Sequence, residues 1–395
     1  MEDETNHVNI FTSGLPQMGK TTLLLNYLYD SIHKGYGAIF FDTDGSITNQ
    51  ILDHIPPERT SDVIHFDPTN PDRIVTWNPL ADDSNPSLNA DTIKKAMKAI
   101  WLMSRSSTGV MDLYIKNSLQ ALIEAKETLL GFSYMLTDEL YRDSVLAQTD
   151  DWVVQDFWKS HAEMDDRLQI NQRNSTYNKA HALLSDIRIR RLLSFQSSSF
   201  SADDVLENNK LLIVRLPKSV IDEDSARIVA SLLLMDFVSA MYRRKVKLPF
   251  YCFIDQCDDL ADTVVSEWLI NGPAQSCYSV LATKYLGQLT NQYKEAVLGS
   301  CATKYIFRSS EQDSEYLERV LGESQNIKCH ELKPYQARIF PYVSGNAYLH
   351  TKDFEDWPIY KKSYDKIRKN HDSRLTKKIS KADDNIKKFR KTLSD

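Results

Sequence analysis

Apolar and polar positions follow different periods in different parts of the chain. Near the start, short apolar runs alternate with amphipathic stretches. His7 to Thr12 has the pattern of a strand, and Thr22 to Leu28 the period of a helix. Tyr36-Gly37-Ala38-Ile39-Phe40-Phe41-Asp42 is a continuous apolar run ending in a carboxylate, the pattern of a buried parallel strand. Ile47 to Ile55 reads as a helix stopped by Pro56-Pro57, and Val63-Ile64-His65-Phe66 as a further strand. Asn78-Pro79-Leu80 turns the chain out of this rhythm. From about Asn89 to Gln196 helical spacing takes over, in Ile93 to Met103, Met111 to Ala125, Leu136 to Ala147, Trp152 to His161 and Asn174 to Leu184. The aromatics there (Trp101, Tyr114, Trp152, Phe157, Trp158) lie at helical spacings and read as core.

Strand patterns return at Lys210. Leu211 to Leu216, Phe250 to Asp255, Tyr278 to Thr283 and Ala302 to Arg308 read as strands, and Asp222 to Arg243 as a long helix. Strands alternating with helices predict an α/β fold with a doubly wound, mostly parallel sheet. One sheet split by an all-α insertion accounts for the order of segments. The expected parts are residues 1–85, the insertion 86–200, the second part of the core 201–350, and a tail 351–395. The tail after about Tyr360 has no apolar face wide enough to demand burial.

Composition narrows this picture. With 42% hydrophobic and 26% charged residues the chain reads as globular rather than disordered. No stretch reaches 18 uninterrupted apolar residues, and the first ten are polar and acidic, so neither a membrane segment nor a secretory signal is expected. Five cysteines without C-x-x-C spacing suggest neither a disulfide framework nor a zinc site, and a cytoplasmic setting fits. The net charge of −6 is uneven: residues 361–395 hold thirteen Lys and Arg against five Asp and Glu, a net +8, which leaves −14 elsewhere. A basic tail either grips nucleic-acid phosphates or is simply a solvated end.

The chemistry concentrates in Gly14-Leu15-Pro16-Gln17-Met18-Gly19-Lys20-Thr21, which fits G-x-x-x-x-G-K-[ST] between a strand and a helix. Glycines let backbone N–H groups turn toward phosphate oxygens, and the helix start adds partial positive charge. Lys20 is placed to reach β/γ-phosphates and the Thr21 hydroxyl to hold Mg²⁺, with Pro16, Gln17, Met18 and Thr22 completing the cradle of an ATP site. Such a loop needs a second Mg²⁺-organising carboxylate on a neighbouring strand, and Asp255 ends an apolar strand in the right way. An aspartate capping the next turn is the plain alternative. Many such ATPases have Glu next; here Gln256 follows. An amide can hold a water but cannot take its proton, and loss of a general base costs about 10²–10⁴-fold. Asp258 and Asp259 are nearby substitutes.

Several further segments resemble the HerA/TraG-type ATPases of the HerA–FtsK superfamily, which includes conjugative coupling proteins. Asp42-Thr43-Asp44-Gly45-Ser46 resembles that family's D-P-x-G-[DE], Ile55-Pro56-Pro57-Glu58-Arg59 its I-P-P-E-R, Val63 to Pro68 its V-I-x-F-D-P, and Asn78-Pro79-Leu80 its N-P-L. Tyr285-Leu286-Gly287-Gln288-Leu289 resembles its Y-L-x-Q-L, and Phe307-Arg308 with Asp313 its F-R region. The likeness runs from about residue 7 to 345. It implies a RecA-like core, ATP between subunits of a homo-hexameric ring, and DNA moved through the pore, with a relaxase, nuclease or secretion channel as partner. Arg308 then becomes an arginine finger for the neighbouring subunit, the plain alternative being a strand-end ion pair. Members that dock on a secretion channel carry N-terminal membrane helices, for which a loop starting at Gly14 leaves no room, so a motor core without them is expected.

The pattern is broken at Gln256 (family Glu), at Lys284 (family Gln, a γ-phosphate sensor) and at Ser46 (family acid). These changes keep two readings open. One is an ATP-driven DNA translocase. The other is a subunit that binds ATP without hydrolysing it and serves as a scaffold in a DNA-processing complex. A small-molecule kinase is disfavoured by the long insertion.

Overall fold

The computed structural model describes residues 7–101, 109–321, 328–340, 348–350, 357–360 and 362–393. Among them the strands are β1 (Ile10–Ser13), β2 (Gly37–Asp42), β3 (Val63–Phe66), β4 (Arg73–Val75), β5 (Leu211–Arg215), β6 (Phe250–Ile254), β7 (Cys277–Thr283), β8 (Thr303–Ile306), β9 (Gln336–Phe340), β10 (Tyr348–His350) and β11 (Thr376–Lys378). Nine of these form one sheet in the order β10-β9-β8-β1-β7-β6-β2-β5-β3. The pairs β8·β1, β1·β7, β7·β6, β6·β2 and β2·β5 are parallel, and β9 and β10 extend one edge antiparallel. This is the doubly wound α/β sheet the periodicity predicts. β4, β9, β10 and β11 were not anticipated: they are pieces of three to five residues, too short for a period to show.

The chain divides into two compact units. The sheet unit comprises Met1–His65, Ala202–Arg215 and Phe237–Asn370. Its strands are apolar on both faces because helices cover both. On one face α1 (Lys20–His33) packs Leu24, Leu28 and Ile32 against Phe40, Ile213, Phe253 and Val280. On the other, Phe237 and Trp268 stand 6.3 Å from the Phe250 ring. Arg59 clamps the end of α1 to two strand starts, donating to the carbonyls of Ile32, Tyr36 and Asn209 and to the Asp62 carboxylate.

The helical unit comprises Phe66–Ser201, Leu216–Asp236 and His371–Asp395. Helices Glu139–Leu146, Trp152–Ala162, Asp166–Leu183 and Ile187–Leu192 each begin after an aspartate whose carboxylate accepts from first-turn amides: Asp138, Asp151, Asp165 and Asp186. These caps correct the expected boundaries. The helix expected over Leu136 to Ala147 is broken at Asp138 into Phe132–Thr137 and Glu139–Leu146. The one expected from Asn174 starts eight residues earlier, at Asp166, in a mostly polar stretch whose Leu168 and Ile170 stay exposed. Asn78 holds this unit's crossing segments together, donating to the carbonyls of Glu127 and Gln196.

The tail departs most from expectation. In the sheet unit, Trp357 is buried, stacks 4.4 Å from the Tyr29 ring and donates to Asn26, and Ile367 joins the core. In the helical unit, β11 pairs with β4, and helix Ile379–Thr392 buries Ala382. Arg191 forks onto Asp383 at 2.7 and 3.0 Å, and Phe389 meets Tyr134 and Tyr141 edge-on. A few anchors dock this segment, which is why a search for a wide apolar stripe missed it.

Candidate functional site

The loop after β1 is shaped by its neighbours. A Cβ on Gly14 would stand 2.7 Å from Phe307 Cβ and 3.0 Å from the Arg308 carbonyl, so only glycine passes here. The Leu15 amide donates to that same carbonyl at 2.7 Å, which makes the end of β8 the wall of the loop. Gly19, at φ 112, opens α1. Gln17 lies in the left-handed region at φ 63, and the Met18 carbonyl accepts from Tyr335, itself at φ 63. Non-glycine residues held there cost about 1–3 kcal/mol each and persist only where surroundings enforce them. Pro16 and Gln17 are exposed, Met18 and Thr22 half-buried.

Lys20 is buried, and its ammonium donates to the loop's own Leu15 carbonyl at 2.8 Å. Burial lowers its pKa to about 8; Asp255 opposes that shift and Lys284 adds to it. The Thr21 hydroxyl donates to the Asp255 carboxylate, 3.0 Å from each oxygen. Burial raises that carboxyl to about 6, and Asp42 and Asp44 push the same way, against the Thr21 hydrogen bond and Lys20. A buried cation satisfied by a neutral carbonyl, beside a carboxylate that resists ionising, is an unbalanced pair. A polyphosphate on Lys20 and a divalent cation between Thr21 and Asp255 would balance both charges, so these residues fit Mg·ATP.

The strand that runs into Asp255 was expected beside the loop strand and is not its neighbour. β7 lies between them, pairing with β1 on one side and β6 on the other. Lys284 follows the end of that intervening strand. Lys284 donates to the Gln256 side-chain oxygen at 3.0 Å, and the Gln256 amide N–H donates to Asp44 at 2.5 Å. Asp44 was not among the expected site residues, although it lies inside the Asp42–Ser46 segment. The other acids nearby are engaged. Asp42 accepts from the amides of Gly45, Ile47 and Thr48 and from the Thr48 hydroxyl. The buried Asp259 accepts from Thr43, and Asp258 from Thr283. Asp259 is buried and Asp258 half-buried, each with a threonine hydroxyl as partner.

Arg308 is exposed. Its guanidinium donates to the His330 carbonyl at 3.3 Å, and its backbone supports its own chain's loop. Asp313 accepts from the Leu286 amide at 3.1 Å, tying the segment after Lys284 to helix Glu311–Leu321.

A strand–loop–helix with a buried lysine and a threonine paired to a strand-end aspartate, on a sheet of this order, defines a P-loop NTPase fold. Within that class the chain belongs to the type IV secretion-system coupling protein DNA-binding domain family, whose model matches residues 1–336. In fold it is similar to plasmid coupling protein TrwB in complex with the non-hydrolysable GTP analogue GDPNP, at 15% identity over 87% of this chain and 85% of that one, TM-score 0.62. TrwB in complex with ADP and Mg²⁺ is similar at 14% identity over 88% and 86%, TM-score 0.61. VirB4 of Thermoanaerobacter pseudethanolicus is similar at 13% identity over 90% and 91%, TM-score 0.58. No curated protein matches by sequence. Among the described residues no helix is long and apolar enough to cross a membrane.

Proposed function

We propose that this chain is an ATP-driven motor that moves DNA during transfer through a type IV secretion apparatus, working on its cytoplasmic side. The observation that carries this reading is the unbalanced pair of Lys20 and Thr21–Asp255 in a chain of the coupling-protein family. Gly14 to Thr22 would hold the phosphates of ATP, and Thr21 and Asp255 would hold Mg²⁺, which would supply charge neutralisation there. The TrwB complexes with a GTP analogue and with ADP and Mg²⁺ support that assignment by analogy. The ring is a homo-hexamer in which the exposed Arg308 reaches a neighbouring subunit's nucleotide; such fingers supply about 10³–10⁵ in rate. DNA is held by its phosphates without sequence reading. The exposed lysines 377, 378, 381, 387, 388 and 391 of the docked tail add to that grip. A relaxase, nuclease or channel protein hands over or receives the DNA.

Steady-state ATP hydrolysis with and without DNA tests this. Turnover that DNA stimulates and Lys20→Ala abolishes is the expected result. Tight ATP binding without turnover on DNA would overturn the motor. It would favour the second reading, a nucleotide-dependent scaffold, for which the replacement of a family Glu by Gln256 argues.

A further inference from the structure

The amide of Gln256 is bonded at both ends, and the chemistry of its partners fixes its orientation. Lys284 has only donors, so it takes the side-chain oxygen, which turns the N–H toward Asp44. A glutamate at 256 could satisfy Lys284 but would set two carboxylates against each other at Asp44. Gln256 is therefore the residue that lets a cation and a carboxylate be held together beside the Thr21–Asp255 pair.

The loop that carries Asp44 is built to hold it there. Asp42 ties down the amides of Gly45, Ile47 and Thr48, Gly45 takes φ 71, and Arg215 donates to the Gly45 carbonyl at 3.1 Å. Of the acids within this set, Asp42 is buried under four donors, Asp259 is buried under Thr43, and Asp258 is half-buried beside Thr283. Asp44 is the one that is exposed, and it lies close enough to Asp255 to raise that carboxyl.

The geometry points to Asp44 as the carboxylate that replaces the family glutamate in ATP hydrolysis, with Gln256 and Lys284 as the residues that position it. This rests on the motor reading above. Asp44 takes a proton from water as the water oxygen bonds to the γ-phosphorus. The bond from that phosphorus to the bridging oxygen breaks, ADP leaves with that electron pair, and the proton passes on to solvent. The base has moved from the end of β6 to the loop after β2, and the amide at 256 is the mark of that move rather than of lost activity.

The test uses the full chain, ATP, DNA and a fluorescent ATP analogue. Asp44→Asn is expected to lower kcat by about 10²–10⁴-fold, with analogue affinity within about two-fold of the parent. Adding Gln256→Glu to Asp44→Asn returns a carboxylate without crowding a second one, and is expected to recover at least ten-fold of that loss. Conserved analogue affinity shows that both variants fold, and a purely structural Asp44 would not be rescued from position 256. If the parent hydrolyses ATP and Asp44→Asn keeps its rate, or the double variant is no faster than Asp44→Asn, this assignment fails while the motor stands. If the parent itself does not turn over ATP on DNA, both fail.

Discussion

Both units of this protein bury ionisable groups whose pKa values are pushed far from normal, yet only one of the two sets is the site proposed above. In the sheet unit, Lys20 rests on a carbonyl and Asp255 on a single hydroxyl, beside a strained loop and an exposed acid. In the helical unit, His161 is buried and pushed down to about 4, first by burial and then by Arg142 and Arg173. There the groups close on one another. Tyr114 and His161 share a hydrogen bond of 2.7 Å, Arg142 lies 5.2 Å from the centre of the Trp158 ring, and its guanidinium donates to the Met135 carbonyl. A perturbed pKa marks strain in either unit; what separates a binding site from a core is whether the missing partner is a neighbouring residue or a ligand.

The largest expected effect breaks that contrast on the binding side. Lys20→Ala removes the cation proposed to face a phosphate, and truncating one partner of a buried charge pair costs about 2–5 kcal/mol of binding. Titration with a fluorescent ATP analogue should show that loss, while the melting temperature holds or rises, because an uncompensated buried cation is gone. Unchanged affinity would mean that the loop is not the phosphate site.

How much of this was legible beforehand follows the same division. The strand–loop–helix over Ile10 to His33 was readable because its loop residues are contiguous and each has one chemical reason to be there. The strand ending in Asp255 was readable because an apolar run stopping at a carboxylate is rare without purpose. That β7 separates it from β1 was not, since strand order is decided by packing between segments far apart in the chain. Asp44 was passed over for a related reason. The local pattern favours Asp42, which ends an apolar strand, and only the fold shows that Asp42 is spent on backbone amides while Asp44 meets Gln256. Several residues that carried the family resemblance turn out to be joints: Arg59 ties α1 to two strands, Asn78 ties the helical unit's crossings, and Asp313 holds the segment after Lys284.

The next effect probes the closed set in the helical unit. His161 has a folded-state pKa of about 4 against an ordinary 6.5. Between those values the unfolded chain takes a proton that the folded chain refuses, so this residue's contribution to stability falls as pH drops from 6.5 toward 4 and is flat on either side. At 1.36 kcal/mol per pKa unit, the whole change is at most about 3 kcal/mol. Denaturant unfolding of the parent and of His161→Gln between pH 7 and 4 should diverge in slope across that window, and nucleotide affinity at pH 7 should not change. Parallel curves would show that His161 is not held neutral by its neighbours.

The smallest effect concerns the docked tail, where the same contrast predicts that a single ion pair matters little. Arg191 and Asp383 form a bidentate pair, but both side chains are partly exposed, and exposed pairs are worth about 0.2–1 kcal/mol. Helix Ile379–Thr392 also has Ala382 buried, Phe389 against two tyrosines and Asn385 donating to the Ser194 carbonyl. Asp383→Ala should therefore leave the helix docked most of the time and the global melting curve unmoved. Trypsin cleavage among the exposed lysines reads the small fraction that opens, and less than about 1 kcal/mol of lost docking translates to roughly 2–5-fold faster cutting when opening is in rapid equilibrium. Cutting accelerated a hundred-fold would make the ion pair, not the aromatic contact, the anchor of this helix. The tail would then belong with the strained charges of the nucleotide site rather than with the closed packing of the helical unit.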